Sequence, residues 1–172
     1  MMLDCRTRFP EGERVGLCMN RIPEHPPRLT PFQKYGSPLY FITIGTFDRK
    51  PVLANDTVHK QFVAFGKERS SHGISIGQYV MMTDHIHLFV RLAPQYKLGS
   101  TVGFLKKTLS VALKESGHSL PHWQPGFFDH MVRSAASYSE KWEYVYQNPV
   151  RAGLAQSADE WPYTGQIVPL RY

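Results

Sequence analysis

The chain has 172 residues, of which 42% are hydrophobic and 20% charged; that suits one domain with a full core and excludes a wholly disordered protein. Lys and Arg outnumber Asp and Glu by 20 to 14, a net charge of +6, which favours polyanionic partners such as nucleic acid without establishing one. Two cysteines, Cys5 and Cys18, make neither a disulfide framework nor a four-ligand zinc site. The first residues, MMLDCRTRFPEGERVGL, lack the apolar core of a secretory signal, and no apolar run reaches membrane-spanning length. The expectation is a soluble, cytoplasmic protein without membrane contact.

Residues 1–34 have no helical or strand period and include the Pro-rich IPEHPPRLTP. They read as an extended or poorly ordered arm, either solvated or touching nucleic acid through Arg6, Arg8, Arg14, Arg21 and Arg28. From Leu39 the pattern changes. LYFITIGTF is β-branched and aromatic, a strand. DRKPVLAN is a loop, and Asp56 suits the N-cap of a helix whose Val58, Phe62 and Phe65 form one apolar stripe. His72-Gly73 stops it. ISIGQYVMM and HIHLFVRLA are strands joined at Thr83-Asp84, a predicted hairpin. Leu98 to Ser116 is a second helix with Val102, Leu105, Leu109 and Ala112 or Leu113 inward and Lys106 and Lys107 outward. FFDHMV is a short strand. Ser134 or Ser137 caps a third helix that ends at Asn148-Pro149, and a short tail with WPYTG follows.

The order strand, helix, strand, strand, helix, strand, helix predicts an α+β fold: a split βαβ sandwich, ferredoxin-like or RRM-like, with two helices on one face of an antiparallel sheet. The other face is left for function, with the C-terminal helix beside it. The domain is expected over 35–165, with 166–172 as a tail.

Alternation within the third strand separates two sets of side chains. Ile86, Leu88, Val90 and Leu92 are uniformly apolar and face the helices. His85, His87, Phe89 and Arg91 share the open face. The two imidazoles are either ordinary surface histidines or a chelating pair, since neighbouring same-face side chains converge at ligand distance. A third ligand must then come from elsewhere. In the third helix, Tyr138, Trp142 and Val145 form the packing stripe at about 100° per residue. Lys141, Tyr144 and Asn148 fall on an adjacent stripe, and Tyr146 lies on the opposite flank. That adjacent stripe is either an ordinary boundary or a functional one; Asn148 precedes Pro149, which can turn it away. A metal held by His85 and His87 could polarise a phosphodiester, and a nearby phenol could attack the phosphorus. The phenol, with an ordinary pKa of about 10, needs a cation or base nearby, and Lys141 is one candidate.

These residues resemble a family. His85-Ile86-His87 after a strand resembles the histidine–hydrophobic–histidine (HUH) signature of single-strand DNA nucleases. HWQPGFFDHMVR, EYVYQNPVRAGL and EWPYTG, with the earlier GSPLYFITIGTFDRKPVL, resemble the REP-associated tyrosine transposases of the single-tyrosine HUH transposase superfamily. The resemblance covers about Tyr35 to Thr164. It implies a metal-dependent single-stranded DNA endonuclease and strand transferase that nicks and rejoins DNA near hairpins of palindromic repeats through a covalent 5′-phosphotyrosine. It implies Mg²⁺ or Mn²⁺ as cofactor, single-stranded hairpin DNA as partner, a monomer or homodimer, and a nucleoid-associated location. It assigns Tyr144 as nucleophile and Asn148, where relatives often have Gln, as the third metal contact beside His85 and His87. His130 lies in a family-like block, with a structural or a functional role open. Thr83-Asp84 departs from the Pro-polar pair of relatives, and Asp84 could add charge near the metal. Arg91, on the histidine face, is a candidate phosphate contact; Lys141, Lys106, Lys107, Arg133 and Arg151 complete the candidate DNA-binding set. Two other readings are a non-catalytic RRM-like binder, which requires exposed aromatics on the first and third strands, and a metal-dependent nuclease that uses water as nucleophile.

Overall fold

The computed structural model describes residues 37–170; the expected arm over 1–34, with both cysteines, lies outside the described residues. In chain order come β1 (Leu39–Gly45), α1 (Asp56–Ser70), β2 (Ile74–Met81), β3 (His85–Leu92), α2 (Leu98–Glu115), β4 (Phe128–Val132), α3 (Ala135–Tyr146), α4 (Asn148–Arg151) and β5 (Thr164–Gln166). All pairings are antiparallel, in the order β4-β1-β3-β2-β5. The first four strands and α1 and α2 make the expected ferredoxin-like α+β sandwich.

The main core lies between the sheet and the two long helices. Ile86, Leu88, Val90 and Leu92 of β3 meet Val58, Phe62 and Phe65 of α1 and Val102, Leu105, Leu109, Ala112 and Leu113 of α2. The apolar stripes of both helices therefore face the sheet as their spacing predicts. Asn55, not Asp56, caps α1: its side chain accepts a hydrogen bond from the Val58 N–H, and Asp56 becomes the first helical residue, where its charge complements the helix dipole. Ser134, the first of the two candidates, caps α3 by accepting from the Ser137 N–H.

Two further features of the fold depart from the sequence reading. The third helix ends at Tyr146, and Asn148 opens the separate short helix α4, because Pro149 has no N–H to continue the ladder and is tolerated in a first helical turn. The stretch around WPYTG is part of the sheet: β5 pairs with β2, and the Ile167 and Val168 N–H groups continue to the carbonyls of Gly77 and Ile76 at 3.2 and 2.9 Å. Gly66 of α1 permits this packing, since a Cβ there would stand 2.4 Å from Ile167 Cδ1.

Phe62 is fully buried, so Phe62→Ala should destabilise the domain by about 3–5 kcal/mol, against about 1 kcal/mol for loss of the cap in Asn55→Ala. Urea unfolding of the two variants checks both the size and the order.

Candidate active site

The register of the sheet builds the site. Across the β1–β3 pair, Thr43 stands opposite His87, Gly45 opposite His85 and Phe41 opposite Phe89. All six residues share one face, the one turned away from α1 and α2. The sequence reading leaves that whole face open; the structure covers part of it. Phe89 is 0% exposed and lies under Tyr138 of α3, with ring centroids 4.3 Å apart. A second apolar cluster forms there from Leu39, Phe41, Val80, Met82, Phe89, Val132 and Val145. The cause is hydrophobic: Phe89 and the Tyr138–Trp142–Val145 stripe each need an apolar surface, and they cover one another. Phe41 and Phe89 are thus removed from the solvent, which withdraws the exposed aromatic platform an RRM-like binder requires.

His85 and His87 point at one another, with their Nε2 atoms 3.0 Å apart. Both Nδ1 atoms are held from behind. His85 Nδ1 is 2.6 Å from the Asp84 carboxylate, and His87 Nδ1 is 2.8 Å from the Thr43 hydroxyl. A carboxylate only accepts, so His85 carries its proton on Nδ1 and presents a bare Nε2 lone pair. Thr43 can donate or accept. When it donates, His87 keeps a proton on Nε2 and gives it to His85. When it accepts, two lone pairs face each other and repel unless a cation lies between them. Two ligands at right angles with bonds of about 2.1 Å have donor atoms about 3 Å apart, so the pair has the spacing of one edge of a metal site.

Burial first, then the nearby His85 and Arg49 charges, push the His87 pKa down from 6.5 to about 3, against the opposing pull of Asp84. His87 is therefore neutral at physiological pH, the form a metal takes. The Phe41 ring, stacked on His87 at 5.6 Å and 14°, adds to the burial. Asp84 is clamped in turn. Its carbonyl accepts from the Thr46 N–H at 2.8 Å and hydroxyl at 2.9 Å, and its second carboxylate oxygen accepts from Arg49 Nε at 2.7 Å.

Tyr144 is 65% exposed. Arg151 holds it, donating to its carbonyl and laying its guanidinium 4.3 Å from the ring centroid. Arg151 also donates to Asn148 Oδ1. The structure therefore groups Tyr144, Asn148 and Arg151, and groups His85 and His87; among the described residues no hydrogen bond joins the two groups. Tyr146 differs in kind. Its hydroxyl donates to Asp159, and that bond, with burial and the Asp159 and Glu143 charges, raises its pKa above 10. That makes Tyr146 a poor nucleophile, whereas the Tyr144 hydroxyl has no hydrogen-bond partner among the described residues.

The cations divide as well. Lys141, on the Tyr144 stripe, lies near His130, whose pKa is lowered by burial first and then by Lys141 and Arg133. Arg91 lies near the Tyr138 hydroxyl. Arg133 and Lys107 are exposed. Lys106 does not face outward as expected: its ammonium donates to the Gln124 and Gly126 carbonyls at 2.8 and 2.5 Å and straps the loop before β4. That loop wants donors because its carbonyls lie outside any ladder.

Sequence reasoning passed over three neighbours of the histidines. Arg49 follows Asp48, and both have φ of 53°, a left-handed conformation costly for non-glycine residues; DRKPVLAN reads only as a loop. Gln124 lies over Gly45, where a Cβ would come within 2.9 Å of its Oε1, so its amide occupies the space opposite His85. Phe128, paired with Thr43, is 61% exposed beside the site. None carries a local signal; each arrives by strand pairing or loop folding.

The family model described as "Transposase IS200 like" matches residues 37–148. The chain belongs to that family. It is 25% identical over 141 residues to a putative REP-associated tyrosine transposase of Haemophilus influenzae, covering 73% of this chain and 78% of that one. It is also 25% identical over 128 residues to the REP-associated tyrosine transposase of Escherichia coli K12, covering 73% and 74%. A solved REP-associated tyrosine transposase bound to a REP hairpin has the same fold, with a TM-score of 0.58 at 20% identity over 75% of this chain and 76% of that one. The protein is thus a transposase-family enzyme of DNA nicking and transposition. Among the described residues no helix is long and apolar enough to cross a membrane.

In this transposase the His85 and His87 Nε2 atoms, 3.0 Å apart, have the spacing of two ligands to one divalent ion. Among the described residues no group of three or more His, Cys, Asp or Glu side chains converges, so a third donor from among them would be of another type, such as an amide. The depressed His87 pKa also carries a stability consequence. The unfolded chain takes up the proton below 6.5 and the folded chain only near 3, so the contribution is complete above 6.5 and is lost as pH falls between those values. In metal-free protein, His87→Gln should gain melting temperature relative to wild type on going from about pH 7 to about pH 4; a constant difference across that range contradicts the assignment.

Proposed function

We propose that this transposase is a metal-dependent single-stranded DNA endonuclease and strand transferase acting beside hairpins of palindromic repeats, with Tyr144 as nucleophile and His85 and His87 as metal ligands. The observation that carries it is the pair of imidazole Nε2 atoms 3.0 Å apart, each ring pinned from behind by Asp84 or Thr43. The hairpin substrate rests on the relatives' names and on the hairpin bound by the solved neighbour.

A divalent ion, Mg²⁺ or Mn²⁺, supplies positive charge on a phosphodiester oxygen when bound there. Asp84 orients His85 and keeps its proton on Nδ1. Arg49, whose side chain is 58% exposed, adds little stability as a surface ion pair and offers its remaining guanidinium donors to a phosphate. Arg151 holds the Tyr144 ring and leaves its hydroxyl free. That hydroxyl loses its proton and bonds to phosphorus; the bond from phosphorus to the 3′ oxygen breaks, and that oxygen takes up a proton. The products are a 5′-phosphotyrosine and a free 3′ hydroxyl, and the reverse reaction with a new 3′ hydroxyl rejoins the strand. Asn148 would serve as the third ligand, its Oδ1 being held by Arg151 here; a phosphate arriving at Arg151 would compete for that same guanidinium. Arg91, Lys141, Lys107 and Arg133 offer further phosphate contacts.

Incubation with single-stranded hairpin DNA from the gene's own flanks and Mn²⁺ should give a covalent protein–DNA adduct on a denaturing gel. Tyr144→Phe should abolish the adduct while retaining hairpin binding, and cleavage at the wild-type rate by that variant would sink the nucleophile assignment. Asp84→Asn should weaken Mn²⁺ binding about 10–100-fold by calorimetry; unchanged affinity would remove Asp84 from the site.

A further inference from the structure

Resting on that reading of the protein as a single-strand DNA enzyme, we propose that a cavity beside α3 takes one unpaired nucleobase of the bound strand and reads its exocyclic amino group. The cavity, about 300 Å³, lies on the histidine face between α3 and the C-terminal strand, lined among others by Gln78, Trp142, Tyr146, Asp159, Trp161 and Thr164. It is on the flank of the helix away from Tyr144.

Three observations fix the ligand class. The first is aromatic surface. Trp142 and Tyr146 sit 5.1 Å apart, and Trp161 is fixed by its indole N–H, which donates to the Met81 carbonyl at 2.9 Å. Rings held at a cavity wall are the surface on which unpaired bases stack. The second is unmet hydrogen-bonding capacity. Gln78 Oε1 and Thr164 Oγ1 are buried without a hydrogen-bond partner, although buried polar atoms are ordinarily paired. Thr164 pairs with Val80 in the β2–β5 ladder, and Gln78 with Gln166, so backbone pairing holds both in place. The third is sign. Among the described residues the lining has no Lys or Arg and contains the Asp159 carboxylate, so it repels phosphate.

Asp159 spends one oxygen on the Tyr146 hydroxyl. Its other oxygen and Gln78 Oε1 are acceptors, which suit the amino groups of adenine, cytosine or guanine; thymine has no such donor. The helix between Tyr144 and the cavity is about 10 Å across, so a strand joined to Tyr144 reaches the cavity within a few nucleotides.

The test uses the full chain carrying Tyr144→Phe, so that the DNA stays uncut, and fluorescein-labelled hairpins with single-stranded arms taken from the gene's flanking palindromes. Each arm nucleotide is replaced in turn by an abasic site, and affinity is read by anisotropy. One arm position should lose about tenfold in affinity, and 2-aminopurine placed there should be quenched on binding. Gln78→Met and Asp159→Asn, which keep the cavity's shape, should each reduce that loss. Asp159→Asn, which replaces an acceptor by a donor, should shift preference at that position toward thymine. Hairpin binding with no sensitive position, or a sensitive position unaffected by both substitutions, overturns the nucleobase cavity alone. Failure of the unsubstituted protein to bind any such hairpin overturns this inference together with the proposed function beneath it.

Discussion

The site depends on one chain of hydrogen bonds that crosses two strands: Thr43 to His87, His87 to His85, His85 to Asp84. Strand pairing sets its length, because Thr43 stands directly opposite His87 and paired side chains lie within reach of one another. The chain is anchored at its Asp84 end. Asp84 is tied to Arg49 and, through its carbonyl, to Thr46. The middle link is the variable one. A proton joins the two Nε2 atoms in the metal-free protein; in the proposed active form His85 and His87 would hold a divalent cation there, and the Thr43 hydroxyl would accept from His87 Nδ1. Burial of His87 favours this exchange, since it keeps the ring neutral.

The third helix gives the histidine face its division of labour. Its buried stripe closes over Phe89 and makes a second core, which fixes the helix without occupying the histidines. One flank then carries Tyr144 with Arg151 and Asn148, and the other carries Tyr146 with Asp159. Two phenols two residues apart thus have opposite surroundings. The hydroxyl bonded to a carboxylate holds its proton; the other is free at the surface. The same helix that presents the proposed nucleophile forms the wall of a cavity with the second tyrosine.

Much of the framework was legible because it rests on local periodicity. Strict alternation in HIHLFVRL separated the core side chains of β3 from the histidines, and the helical spacing of Val58, Phe62 and Phe65 pointed α1 at the sheet. What was not legible came from contacts distant in sequence. TGQ is too short to show a strand period, and its pairing partner lies in β2. Lys106 sits where helical geometry suggests solvent, yet a loop almost twenty residues later brings two carbonyls to it. Phe89 alternates correctly with the histidines, but only the docking of Tyr138 shows that its end of the face is closed. Asp84 was visible as a charge near the pair; its grip on His85 and Arg49 was not, because Arg49 comes from a separate loop with an unusual backbone. The ordered sequence blocks identified the family and alternation placed the two imidazoles side by side; the pairing of strands supplied Thr43 behind His87, which no block displays.

The central claim is that the two Nε2 atoms form one edge of a divalent metal site. Anomalous diffraction from crystals grown with Mn²⁺ tests it directly. The account predicts a single strong peak bonded to Nε2 of both His85 and His87, with Nδ1 of His85 still on Asp84. A peak bonded to only one of the histidines, or Mn²⁺ bound elsewhere while the two nitrogens keep their hydrogen bond, would contradict it.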